Sequence, residues 1–126
     1  MRQGKRRLIL WHNPACSKSR AVLDGLREHG IEPALRRYLE SPPTPEEVIE
    51  LARAVGVPLR SLLRSGEEAF RQAGLDGSDP SDVDLAKAVA EHPILLERPI
   101  LVDDNDAVVG RPPDRAVGWA LARRSR

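Results

Sequence analysis

The stretch RLILWHNPACSKSR, residues 7–20, decides how this chain folds and where its chemistry lies. RLILW is a short apolar run rich in strand-forming residues, so it predicts a buried strand over residues 7–11. An Asn-Pro pair then predicts a turn. Apolar residues at helical spacing, followed by a glycine suited to a C-cap, predict a helix from about Cys16 to His29. The one cysteine of the chain is therefore expected where the first strand ends and the first helix begins.

The rest of the chain predicts further strands and a closing helix. PALRRYLE (33–40) predicts a second strand, and RPILVDD (98–104) with AVVG (107–110) predicts a β-hairpin around a tight Asp-Asn-Asp turn. RPPDRAVGWALARR (111–124) predicts the last helix. The order β-α-β, several helices, then β-β-α indicates an α/β protein with the thioredoxin arrangement, a mixed four-stranded sheet with a helical insertion.

The helical insertion is predicted over about residues 44–93. Its clearest helix begins with TPEE, in which Thr44 suits the N-cap, the proline suits the first helical position and the second glutamate completes a capping box. That helix is expected to end before Gly56. Two shorter helical segments follow, and a last helix is expected to be capped by Ser81 and stopped at Pro93.

Length and composition indicate one soluble domain. A chain of 126 residues can bury a core without staples, and we expect a basic tail over residues 1–6 and a single domain over residues 7–126. The net charge of +1 argues against a nucleic-acid partner. No apolar run approaches the roughly 18 to 20 residues of a membrane span, and LILW is too short for a signal-peptide core. We therefore expect a cytoplasmic monomer that binds neither nucleic acid nor membranes.

A lone cysteine limits the possible chemistry. It excludes an internal disulfide, and the three histidines show no ligand spacing with it, so no metal site is expected. The thiol is then either a small buried hydrophobe or a nucleophile. At a helix N-terminus, free backbone N–H groups and the helix dipole would stabilise the thiolate of Cys16. Hydroxyl donation from Ser17 and Ser19, and positive charge on a protonated His12, would lower its pKa further, so the pattern favours the nucleophile.

The sequence after the cysteine separates this chain from other thiol enzymes. Cys16 stands in C-S-K-S rather than Cys-x-x-Cys, so a mixed disulfide on it must be resolved by another thiol, such as glutathione or a redox partner. The phosphatase-type loop, which has arginine six positions after the cysteine, is also absent because that position is Val22.

Three arginines lie next to turn or strand features, and a guanidinium binds oxyanions through two parallel hydrogen bonds. They are Arg64 in SLLRSG, Arg98 in LERPIL and Arg111 in VGRPPD. Each is predicted at the end of an element, where loops gather around functional sites. Taken singly, each equally fits a solvated surface arginine.

WHNPACSKSR together with the downstream ERPI and GRP resembles the glutaredoxin-coupled arsenate reductase family, from about Leu8 to Trp119. The resemblance implies a thioredoxin-like fold with Cys16 as the nucleophile. It also implies that Pro99 is cis beside the site, near the turn at Asn13. The implied roles of the other residues are lowering of the thiol pKa by His12 and Ser19, and binding of arsenate and arsenite by Arg64, Arg98 and Arg111.

The same resemblance implies reduction of arsenate to arsenite with glutathione as co-substrate, glutaredoxin as partner and no bound cofactor. Two alternatives stay open. The first is a redox-sensing regulator of the same fold that binds RNA polymerase, although such regulators usually carry Cys-x-x-Cys and this chain has Ser19 in the second place. The second is a glutathione-dependent thiol reductase with another substrate.

Overall fold

The computed structural model describes residues 8–64, 66–75 and 79–124. The basic tail predicted over residues 1–6 lies outside the described residues. In the part of the chain that is described, no helix combines the length and the hydropathy needed to cross a membrane.

The described residues form two compact units. The first unit holds the residues up to Arg37 and those from Arg98 onward, and the second holds Tyr38–Glu97. The prediction of a single domain over residues 7–126, with an insertion at about 44–93, stays a prediction.

The helices and strands follow one another along the chain in the predicted order. The strands are β1 (Leu8–Trp11), β2 (Ala34–Arg36), β3 (Ile100–Asp103) and β4 (Asp106–Val109). The helices are α1 (Ser17–Glu28), α2 (Pro45–Val55), α3 (Glu68–Gln72), α4 (Asp82–Glu91) and α5 (Pro113–Arg124). Short 3-10 turns occupy Leu59–Leu62 and Pro93–Leu95.

The first unit is built on a four-stranded sheet in the order β2-β1-β3-β4. β1 pairs with β2 in parallel, whereas the β1–β3 and β3–β4 pairs are antiparallel. This mixed sheet confirms the predicted α/β, thioredoxin-like fold class. Trp11 lies opposite both Arg36 and Ile100, so the end of β1 lies beside the start of β3. The turn that leads to Cys16 and the segment that holds Arg98 therefore emerge at the same end of the sheet.

Helices α1 and α5 pack together against this sheet around one apolar cluster. The buried members are Leu10, Val22, Leu23, Leu26, Ile31, Leu101, Val108, Ala116 and Ala120. The helices approach so closely at Gly25 that a Cβ there would stand only 2.8 Å from Cγ2 of Val117. Full burial of each large aliphatic side chain contributes about 1.5–3 kcal/mol. The cluster therefore fixes the position of α1, the helix that Cys16 caps.

The second unit contains the predicted helices of the insertion. Thr44 caps α2, and Glu47 completes the capping box, as predicted. Gly56 ends that helix in the left-handed conformation at φ 85°, which glycine adopts without steric cost. Ser81 caps α4, as predicted, and Asp84 completes a second capping box.

Several predicted boundaries are wrong. β2 covers Ala34–Arg36 rather than 33–40, because its pairing partner β1 ends at Trp11. β3 begins at Ile100 rather than 98, after a proline that cannot donate to a strand ladder. The other strand of the hairpin covers 106–109 rather than 107–110, and the last helix begins at 113 rather than 111.

These shifts matter at the two predicted anion-binding arginines of the first unit. Arg98 precedes β3 and Arg111 follows β4. Neither arginine is therefore part of a strand, and both lie in the short segments that flank the hairpin.

Candidate active site

Cys16 lies at the N-cap of α1, with extended backbone angles of φ −94° and ψ 122°. Its N–H donates to the carbonyl of Asn13 at 2.9 Å, which closes the turn after β1. Its own carbonyl accepts from the N–H of Arg20 at 3.0 Å, which begins the helix. The side chain is half-buried, so the thiol has a fixed backbone and remains open to a reactant.

Opposing effects act on the pKa of Cys16, and the net direction is downward. Burial raises the pKa, because a thiolate loses hydration. The backbone N–H groups of Ser19 and Lys18, and then the side chain of Arg98, lower the pKa by stabilising the thiolate through hydrogen bonds and charge. The predicted helix N-terminal effect is therefore present. A lowered pKa makes the thiol of Cys16 a better nucleophile near neutral pH.

The hydroxyl of Ser19 has a different partner from the one predicted. Its Oγ lies 2.6 Å from Nδ1 of His12 and accepts from the N–H of Asn13 at 3.1 Å. All three residues are buried. The sequence predicts hydroxyl donation from Ser19 to the sulfur, whereas its stabilising contact with Cys16 comes from the backbone N–H. The hydroxyl instead joins the end of β1 to the first turn of α1.

The positive charge predicted on His12 is also corrected. Burial lowers the pKa of His12, and the positive charges of Arg37, Arg27 and Arg20 lower it further. The lowered pKa favours the neutral imidazole, and we assign its Nδ1 as the acceptor of the Ser19 hydroxyl proton. His12 consequently supports the loop around Cys16 through this bond.

The turn before the cysteine is held by bonds that the sequence pattern only partly indicates. Oδ1 of Asn13 accepts from the N–H of Ala15 at 3.0 Å, an Asx-type turn. Nη1 of Arg20 donates to the carbonyl of Pro14 at 2.8 Å. Asn13 was predicted to shape this turn, but the contribution of Arg20 was not. Both ends of the Pro14-Ala15 segment are thus fixed.

Two hydrogen bonds bring Arg98 and Arg111 together, one from the Arg111 side chain and one between the backbones of their neighbours. Nε of Arg111 donates to the carbonyl of Arg98 at 2.6 Å, and the N–H of Gly110 donates to the carbonyl of Pro99 at 2.8 Å. The Arg98–Pro99 bond is cis, as the resemblance implies, and the Arg111–Pro112 bond is cis as well. The structure therefore joins two predicted anion-binding arginines at the end of the sheet where Cys16 lies.

Gly110 is a site residue that the sequence reasoning missed. A Cβ there would stand 2.9 Å from Cγ2 of Val22, 3.0 Å from Cγ of Pro99 and 3.3 Å from Cβ of Ala116. Only glycine fits without a shift of these neighbours. A glycine directly before Arg-Pro was the available sequence signal, since such a glycine marks close backbone approach.

Arg64, the third predicted arginine, lies in the second unit. Its Nη1 lies 3.2 Å from Oε2 of Glu67, and its Nε lies 3.9 Å from Oε1 of Glu97. Its N–H donates to the carbonyl of Leu95 at 2.7 Å. The predicted role of Arg64 in oxyanion binding stays a prediction.

Within residues 8–64, 66–75 and 79–124, no group of three or more histidine, cysteine, aspartate or glutamate side chains could hold a metal ion. The described site offers a thiol with a lowered pKa beside the side chain of Arg98. This combination suits attack on an electrophilic oxyanion, whose negative charge a guanidinium offsets.

Comparison with known proteins gives this arrangement a context. Residues 11–117 match the sequence description of the ArsC family. An arsenate reductase of Haemophilus influenzae is 38% identical over 108 residues, covering 85% of this chain and 93% of that protein. An arsenate reductase of Neisseria meningitidis is 39% identical over 104 residues, covering 82% of this chain and 89% of that protein.

A solved structure shares the fold as well. The arsenate reductase from Vibrio cholerae superposes with a TM-score of 0.85 at 40% sequence identity. The match covers 91% of this chain and 98% of that one.

Proposed function

Because this chain belongs to the ArsC family, we propose that it reduces arsenate to arsenite. Cys16 is the nucleophile, and glutathione and glutaredoxin supply the electrons. The observation that carries the proposal is the placement of Cys16 at the N-terminus of α1, where backbone N–H groups and the Arg98 side chain lower the pKa of its thiol. The relatives that bear the name arsenate reductase support the choice of oxyanion.

The first step is attack of the Cys16 thiolate on arsenic. A sulfur–arsenic bond forms, and one arsenate hydroxyl leaves as water after taking up the proton that the Cys16 thiol released on ionisation. Arg98 stabilises the thiolate before attack and offsets oxyanion charge during it. The resemblance assigns Arg111 and Arg64 to further binding of arsenate and then of arsenite.

The second step transfers two electrons to arsenic. The thiolate of glutathione attacks the sulfur of Cys16, a disulfide bond forms, and the sulfur–arsenic bond breaks with its electron pair on arsenic. Arsenic thus passes from the +5 to the +3 state, and arsenite is the product. Cys16 is the chain's single cysteine, so glutaredoxin must remove the glutathione from the mixed disulfide and restore the thiol.

The cellular location and the absence of a bound cofactor belong to this scheme. Glutathione and glutaredoxin act in reducing compartments, so the cytoplasmic location expected from the sequence belongs to the same proposal. No cofactor is held between turnovers, because every electron arrives through a thiol. The prediction of a monomer stays a prediction.

The proposal is tested by arsenate-dependent oxidation of NADPH, coupled through glutathione, glutaredoxin and glutathione reductase. We expect turnover that requires arsenate, glutathione and Cys16, with Cys16→Ser as the control. A folded protein with a reactive Cys16 and no turnover would contradict the proposal. Formation of a complex with RNA polymerase would then favour the regulator. Consumption of a disulfide or peroxide would favour a thiol reductase with another substrate.

A further inference from the structure

We propose that Arg111 is a positioning residue, which holds Arg98 against Cys16 through the hydrogen bond from its Nε to the Arg98 carbonyl. This inference rests on the role of Cys16 in the proposed function and assigns Arg111 a task that precedes any binding of oxyanion. Arg111 then acts on the free enzyme, through a neighbour, as well as on the reactant.

The first support is the geometry of the bond. Nε of Arg111 lies 2.6 Å from the Arg98 carbonyl oxygen, and the pair is half-buried. A guanidinium carries five N–H donors, and this bond uses the one on Nε. The bond fixes the Arg98 carbonyl, and with it the backbone from which the Arg98 side chain extends.

The second support is the rigidity of the segment that carries Arg111. Gly110, the preceding residue, donates its N–H to the Pro99 carbonyl at 2.8 Å. Its α-carbon is enclosed by Val22 of α1, by Pro99 and by Ala116 of α5. The backbone of Arg111 therefore starts from a point fixed against the helix that carries the cysteine and against the residue after Arg98.

The third support is what Arg98 does for the thiol. Its side chain donates to Cys16 and adds a positive charge beside the sulfur. The other groups that bear on Cys16 are the N–H groups of Ser19 and Lys18 in the first turn of α1. Displacement of the Arg98 backbone would move its guanidinium from the sulfur, and the two N–H groups would be left unchanged.

Three substitutions separate the hydrogen bond of Arg111 from its charge. Arg111→Gln keeps an N–H donor on the δ-carbon and loses the charge. Arg111→Lys keeps the charge and has a methylene group where the Nε–H stood, and Arg111→Met loses both. Arg115→Ala, which removes an exposed arginine of α5, is the control for charge loss nearby.

The measurement is the rate at which iodoacetamide alkylates Cys16 across pH, with no arsenate, glutathione or glutaredoxin present. We expect Arg111→Lys and Arg111→Met to slow alkylation at pH 7 at least about threefold, since a displaced cation stabilises the thiolate less. Arg111→Gln and Arg115→Ala are expected to retain the parent rate within about twofold.

Two results would overturn the inference. A slow Arg111→Gln beside a parent-like Arg111→Lys would show that the charge acts directly, and parent-like rates in all three would show that Arg111 does not act on Cys16. Gly110→Ala, which alters no charge, gives a second test. In folded protein it should also slow alkylation, and an unchanged rate would contradict the packing argument. Because arsenate is absent, these outcomes are independent of whether the protein reduces arsenate.

Discussion

At one end of β3, Arg98 bonds to the Cys16 thiolate and offers its carbonyl to Arg111. At the other end, Arg123 is bound by two carboxylates, Asp103 at 2.6 Å and Asp106 at 2.8 Å. The Asp103 side chain is fully buried. The hydrogen bond that Arg123 donates to Asp103 is the main reason that the pKa of Arg123 is raised. The two ends of β3 therefore differ. Near its start an arginine stabilises a reactive group, and near its end an arginine stabilises the fold.

The partner of each arginine decides what that arginine can do. Arg123 neutralises a buried carboxylate, and its guanidinium also stacks 4.7 Å from the ring centre of Trp119. Its charge is needed where it stands, since a buried carboxylate without a cation is costly. Arg98 instead acts on a group that gains its charge only when the thiol ionises. The comparison predicts that substitutions at the two ends will separate activity from stability.

Replacement of the nucleophile should have the largest effect. Cys16→Ser removes the only atom that can form the sulfur–arsenic bond, so turnover should fall at least about a thousandfold, to the limit of the coupled assay. Arg115→Ala, at an exposed position of α5, should stay near the parent rate. Substantial turnover in Cys16→Ser would remove Cys16 from the reaction.

Loss of the structural arginine should come next and should appear in stability. Arg123→Ala leaves Asp103 buried without its cation, and we expect the free energy of unfolding to fall by about 3 kcal/mol. Chemical denaturation monitored by circular dichroism would measure this loss. In folded protein, kcat/KM should stay within about twofold of the parent. A large fall in kcat/KM with unchanged stability would reverse the roles assigned to the two ends.

Loss of the arginine beside the thiol should appear in activity. Arg98→Ala removes a charge-assisted contact of about 1.5–3 kcal/mol, so kcat/KM should fall roughly 10- to 150-fold. The denaturation midpoint should change little, because Arg98 is only half-buried. Arg115→Ala serves as the charge-matched control and should retain activity. Near-normal kinetics in Arg98→Ala would show that the arginine does not contribute to turnover.

The smallest expected effect is a displacement of the pH profile. A lowered pKa means that the thiolate of Cys16 forms at lower pH than that of a free thiol. The rate of alkylation should thus rise with pH and reach its half-maximum below the ordinary value of about 8.5. Arg98→Ala should shift the profile to higher pH, and Arg123→Ala should not. A parent profile centred at or above the ordinary value would mean that burial outweighs the donors.

The local features of this site could be predicted from the sequence. The position of Cys16 between β1 and α1 follows from one apolar run, one turn and one helical pattern. The capping boxes at Thr44 and Ser81 depend on residues only three positions apart. Such signals are short-range, so they can be recognised in the sequence without knowledge of the tertiary structure.

The features that needed the structure depend on residues far apart in the chain. The lowered pKa of His12 results from its burial and from Arg37, Arg27 and Arg20. The bond from Arg111 to the Arg98 carbonyl spans 13 residues. The role of Gly110 depends on contacts with Val22 and Ala116. Burial and long-range contacts set pKa values and hydrogen-bond partners, and no local pattern encodes them.

The most direct test of the central claim is the mass of the peptide that contains Cys16 after incubation with glutathione, with and without arsenate, in the absence of glutaredoxin. The account predicts one glutathionyl group on Cys16 only when arsenate is present, with one arsenite formed for each modified protein. Equal glutathionylation without arsenate, or arsenite formed while Cys16 stays unmodified, would contradict attack on arsenate by the Cys16 thiolate.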